Sequence, residues 1–128
     1  MATIKSYTDI EQSKKLADIL PIETADMFWQ SNLNSSDRQY LLDMGEEEHF
    51  NIEINFEHCG IGEYDIPAWS LAALLKILNF PSLTQNKEDE WEVCVFDHDN
   101  DDYIKKTANN PIDACVAMIE KLHELKML

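Results

Sequence analysis

The run Asp97-His98-Asp99-Asn100-Asp101-Asp102 offers hard carboxylate oxygens at closely spaced positions, the donor type that calcium and magnesium prefer. It does not fit an EF-hand. With Asp97 as position one, position six is Asp102 where the loop needs glycine, and position twelve is Ala108 where it needs glutamate. A solvated hairpin tip is the plainer reading, with Asp97, Asp99 and Asp101 as weak cation candidates and no assigned metal. His58, Cys59 and His98 are zinc-type donors, yet they lack the paired short spacings of structural zinc sites. Cys59 as a nucleophile needs a base, and His58, adjacent to it on a strand, points to the opposite face. Carboxylate pairs suited to glycoside hydrolysis occur in any chain this acidic, which lowers the information in each. No GxGxxG, P-loop, HExxH or GxSxG pattern is present, and three glycines leave little material for a phosphate cradle. No catalytic residue and no cofactor is assigned.

Charge is the stronger signal. Twenty-five acids against ten bases give a net charge of −15 over 128 residues. Such a field repels phosphate backbones and anionic lipid headgroups, so direct nucleic-acid and membrane binding are disfavoured and a basic protein partner is favoured. From 22 to 68, Arg38 stands alone against eleven acids. Within that segment Phe28, Trp29, Tyr40 and Tyr64 offer aromatic anchors beside Glu46, Glu47, Glu48, Glu53 and Glu57. An aromatic anchor ringed by carboxylates suits a contact patch for a basic protein; the competing reading puts the rings in the core beneath a sheet. Trp29 with these five glutamates is the candidate interaction surface.

The elements that must position these residues follow from periodicity and capping. Thr8 with Glu11 makes a capping-box pattern opening a helix over 9–20, closed by Pro21. Residues 24–30 suit a strand, and Phe50 to Glu57 alternates strictly between apolar and polar side chains. A short helix fits residues 38–44. Pro67 suits the first turn of a second helix bearing Leu71, Leu74, Leu75 and Leu78. Residues 91–96 and 103–107 form a hairpin around the acidic loop, while Lys87 to Glu90 reads as an exposed charged loop. Asn110, Pro111 and Asp113 open a last helix whose Ile112, Cys115, Val116, Ile119 and Leu122 repeat at helical spacing. The order α-β-β-α-β-β-α predicts a single α+β domain over 1–128. Its architecture is a two-layer sandwich, one four-stranded antiparallel sheet with helices on one face.

Three cysteines with no CxxC pair point to reduced thiols, with Cys94 and Cys115 in apolar patterns. No hydrophobic leader opens the chain and no apolar run is long enough to span a bilayer, so the expected location is the cytoplasm.

Three segments carry a resemblance. They are Ser6 to Pro21 with Glu23-Thr24-Ala25-Asp26-Met27, then Pro67-Ala68-Trp69-Ser70-Leu71-Ala72-Ala73-Leu74-Leu75, then Asn110-Pro111-Ile112-Asp113-Ala114-Cys115 running on to Leu125. Together they resemble a family of small uncharacterised proteins carried by phages, prophages and mobile elements of Bacteroidetes. The similarity covers somewhat under half the chain, and the stretch from Asn32 to Asp65 departs from it. It implies an accessory role and carries over no activity, cofactor or site residue. The leading expectation is thus a non-enzymatic protein acting through protein–protein contact, its sharper form an inhibitor that imitates DNA charge. The alternative is a small metal-dependent hydrolase or cation-binding module on the Asp97–Asp102 loop. A third reading is a homo-oligomer joined through the leucine face or the last helix.

Overall fold

The computed structural model describes residues 5–31, 50–54 and 66–128. The elements in chain order are α1 (Ile10–Ala17), β1 (Met27–Ser31), β2 (Phe50–Ile54), β3 (Ile66–Ala68), α2 (Leu71–Ile77), β4 (Ser82–Gln85), β5 (Trp91–Asp97), β6 (Asp102–Ala108) and α3 (Pro111–Glu124). The α+β class holds. Length points to one domain; contacts gather the chain into two compact units, Tyr7–Ser70 and Met1–Ser6 with Leu71–Leu128.

The single four-stranded sheet is corrected to two antiparallel three-stranded sheets among the described residues, in the orders β2-β1-β3 and β4-β5-β6. Both expected hairpin pairings form, β1 with β2 and β5 with β6. Each pair then recruits a short third strand instead of joining the other. In the first unit β3 lies against β1 with Pro67 opposite Phe28. Pro67 therefore sits in a strand and does not open the second helix, which starts four residues later. A proline is tolerated there because β3 is an edge strand, where one side needs no ladder donor.

The first unit closes around Ile10, Trp29, Ile66 and Ala68, with Tyr7 and Met27 packed against them. Its first helix begins one residue later than the capping pattern suggests. Asp9 is the cap: its Oδ1 accepts from the Gln12 N–H at 2.7 Å, and Gln12 Oε1 accepts from the Asp9 N–H at 3.1 Å. Thr8 is drawn elsewhere. Its Oγ1 accepts from the Trp69 N–H at 3.1 Å and bonds the Ser13 hydroxyl at 2.7 Å. Trp69 is fully buried and donates its Nε1–H to Thr24 Oγ1 at 2.9 Å. Asp26 receives both the backbone N–H and the hydroxyl of Ser70, which anchors the chain as it leaves β3.

The second unit is a sheet backed by helices. All five apolar residues expected to line the last helix are buried, joined by Ala114 and Met118. Asn110 caps that helix as expected, accepting from the Asp113 N–H at 2.9 Å, and Lys5 Nζ reaches Asp113 Oδ1 at 3.0 Å. α3 packs on β5 and β6, and α2 packs on α3. Leu74 and Leu78 are buried while Leu71 and Leu75 are half-buried. The β4–β5 turn is held by Asn86, whose Oδ1 accepts from the Glu88 and Glu90 N–H groups at 2.9 and 3.0 Å. The charged run Lys87 to Glu90 is that turn, as expected.

Candidate functional site

The register of the second sheet decides which residues meet. Val93 lies opposite Lys106 and is fully buried on the face that α3 covers. Side chains alternate, so Cys94 and Phe96 belong to the other face, with Lys105 and Tyr103 opposite them and Ser82 beside Cys94 on β4. Lys105, Tyr103 and Ser82 are exposed, so this face is open.

At its hairpin end three rings gather. Phe96 meets His98 edge to face with centroids 4.7 Å apart and planes at 83°, and meets Tyr103 at 5.1 Å and 67°. Phe96 and His98 are two apart, and Tyr103 is the cross-strand partner of Phe96, so strand geometry alone brings them together. They line an open cleft of about 420 Å³, with Phe80 and Pro81 from the α2–β4 connection and the half-buried Cys94. Cys115, in contrast, is a core thiol, and burial pushes it up to about 11.

Phe80 is 72% exposed and sits in left-handed backbone at φ 52°. The helix ending before it explains only half of this. The Phe80 N–H bonds the Leu75 carbonyl at 2.7 Å and the Asn79 N–H bonds the Lys76 carbonyl at 3.1 Å, a Schellman closure that needs one left-handed residue. Asn79 supplies it at φ 60°. The second left-handed residue, an aromatic with no glycine freedom, costs about 1–2 kcal/mol.

The acidic loop adjoins this cleft. Asp97 is only 6% exposed, and its carboxylate accepts from Asn100 Nδ2 at 2.7 Å and from the N–H groups of Asp99 at 3.0 Å and Asn100 at 3.4 Å. Both carboxylate oxygens thus organise the turn itself, which Asp101 completes in left-handed backbone. The Asn100 side chain foremost, then the two backbone donors and nearby His98, hold the Asp97 carboxyl below its ordinary range against an opposing push from burial. Asp99 and Asp101 are exposed. Among the described residues no three His, Cys, Asp or Glu side chains are placed to hold a metal ion.

The charged turn makes the stability of the fold depend on pH. A carboxyl with a lowered folded-state pKa stabilises the fold above its unfolded pKa, and that stabilisation is lost as pH falls through the folded value. Asp97→Asn lowers Tm at neutral pH, and the gap to the unsubstituted chain closes on acidification below the ordinary carboxylate value of 3.8. Thermal melts at stepped pH check it; a gap that stays constant down to acid refutes the charged turn.

Of the residues expected to form the interaction surface, Trp29 is 8% exposed and belongs to the core. Its ring packs edge to face on Tyr7 at 5.6 Å, and its Nε1–H bonds the Thr8 carbonyl at 3.2 Å. A ring so enclosed is not a surface anchor. Glu53 lies on β2 opposite Phe28. Glu46, Glu47, Glu48 and Glu57 lie outside the described residues, as do His58, Cys59, Tyr40, Tyr64 and the expected helix at 38–44. The aromatic cluster missed by the sequence reading was signalled by Phe96-Asp97-His98 and Tyr103 flanking one tight turn. No helix among the described residues is long and apolar enough to cross a membrane. No family model, curated protein or solved structure matches this chain, so its chemistry is read from its own residues and geometry.

Proposed function

We propose that this chain is a non-enzymatic interaction module that binds a basic protein through the open face of its second sheet. The observation that carries the reading is the aromatic cluster of half-buried Phe96 with exposed His98 and Tyr103, set beside a turn that exposes Asp99 and Asp101. Aromatic residues on an open face supply desolvated contact area, and surrounding carboxylates steer and select a cationic partner. The overall charge of −15 acts in the same direction at longer range. An accessory role on a phage or mobile element, including the imitation of DNA charge against a host protein, accords with this chemistry, since both require a basic partner. The Asp97 carboxylate, engaged within its own turn, favours this reading over cation-dependent hydrolysis.

The test is binding of a peptide rich in Arg and Lys at about 50 and about 300 mM NaCl, with an acidic peptide as control. Affinity falls about tenfold or more at the higher salt because screening shortens the reach of exposed charges. The amide resonances that move are those of 94–104. Salt-independent binding, or equal uptake of the acidic peptide, refutes the proposal.

A further inference from the structure

The cleft beside the acidic turn has a shape that charge attraction alone does not require. His98 and Tyr103 stand nearly perpendicular to Phe96, so the three rings form walls instead of a stack. Phe80 stands at the rim, more exposed than any other large hydrophobic among the described residues, and its backbone is held in the left-handed region beyond what the helix closure needs. Backbone outliers of this kind gather at ligand sites, where the surrounding structure holds a side chain in place for contact.

We infer, building on the basic-partner reading above, that this cleft seats one arginine side chain of the partner protein. Ring faces attract cations through their quadrupole, and the planar guanidinium both stacks on rings and sheds water more readily than a lysine ammonium. Asp99 and Asp101, exposed on the adjoining turn, supply the opposite charge. At about 420 Å³ the cleft exceeds the needs of a bare ammonium and lies in the range of sites that take a small ligand or a side chain with its flanking backbone. A second copy of this chain, itself at −15, is repelled at long range, and a phosphate group meets the exposed Asp99 and Asp101. Lys105 occupies the next row of the same face, opposite Cys94, and is the charge that works against the occupant.

The test titrates capped Gly-Arg-Gly, Gly-Lys-Gly and Gly-citrulline-Gly peptides into the full chain while amide shifts of 94–104 are followed. The arginine peptide binds with a dissociation constant on the order of 1 mM, the lysine peptide roughly fivefold more weakly, and the uncharged citrulline peptide does not saturate. Phe80 and Tyr103 are both largely exposed, so Phe80→Ala with Tyr103→Ala keeps the fold, which circular dichroism verifies. That double variant loses about tenfold in arginine affinity and no longer prefers arginine over lysine. Equal arginine and lysine binding, or indifference to the loss of both rings, overturns the arginine site while salt-sensitive binding of longer basic peptides upholds the broader reading. Failure of short and long cationic peptides alike overturns both.

Discussion

Trp29→Ala destabilises the chain by about 3–5 kcal/mol, the range for emptying a buried indole site. The ring is 8% exposed and fills the centre of a cluster with Ile10, Ile66 and Ala68. Truncation opens a cavity against Tyr7, whose ring now meets the indole at 69°, and strips the Thr8 carbonyl of the Nε1–H donor 3.2 Å away. Both losses act in one place, because β1 carries Trp29 as the middle strand of its sheet, with β2 on one side and β3 on the other. The contrast is Tyr103→Ala, at a residue 60% exposed, which shifts stability by no more than about 0.5 kcal/mol. Urea midpoints at unchanged slope measure both. If Trp29→Ala folds with the original midpoint and loses its basic peptide instead, the indole is a surface anchor after all and the core assignment is wrong.

The same residues show how far the sequence could be read. The last helix was legible almost completely, since its N-terminal Asn-Pro-x-Asp signal and its apolar spacing are local and no distant contact competes with them. The β5–β6 hairpin was legible for the same reason, with only its ends moving by a residue. What local pattern could not show is where a strand without alternation pairs. Ser82–Gln85 is a short, mostly exposed edge strand, so it carries no buried face to imprint a period on the sequence. Ile66–Ala68 hides behind a proline that also suits a helix start. Those two strands are what convert one expected four-stranded sheet into two sheets of three. The candidate site was half legible: the acidic turn stood out as charge, while Phe80 reads in sequence only as part of the Asn79-Phe80-Pro81 helix end, because its exposed placement depends on a left-handed backbone that no local pattern demands. Trp29 was weighed between surface and core, and only the packing of Ile10 and Ile66 around it separates the two.

Thr8→Val costs about 2–6 kcal/mol, more than the removal of an ordinary helix cap. The change keeps the volume of a residue that is fully buried and deletes only the hydroxyl. Two partners lose it at once: the Trp69 N–H at 3.1 Å and the Ser13 hydroxyl at 2.7 Å. Each is left without that bond in a place water does not reach, at about 1–3 kcal/mol apiece. The tie spans 61 residues of sequence from Thr8 to Trp69, so it fixes the start of α1 beside the end of β3. Three substitutions separate this role from capping. Thr8→Ser keeps the hydroxyl and costs under about 1 kcal/mol, the burial value of a single methyl. Thr8→Asp is benign at a true N-cap, where aspartate ranks with the best residues. Here it places a carboxylate in a fully buried position and destabilises more than valine does. Asp9→Ala, which removes the actual cap, costs only about 1 kcal/mol. Chemical denaturation of the four variants reads the order directly. A Thr8→Asp chain as stable as the original returns Thr8 to the helix cap and dissolves the tie to Trp69.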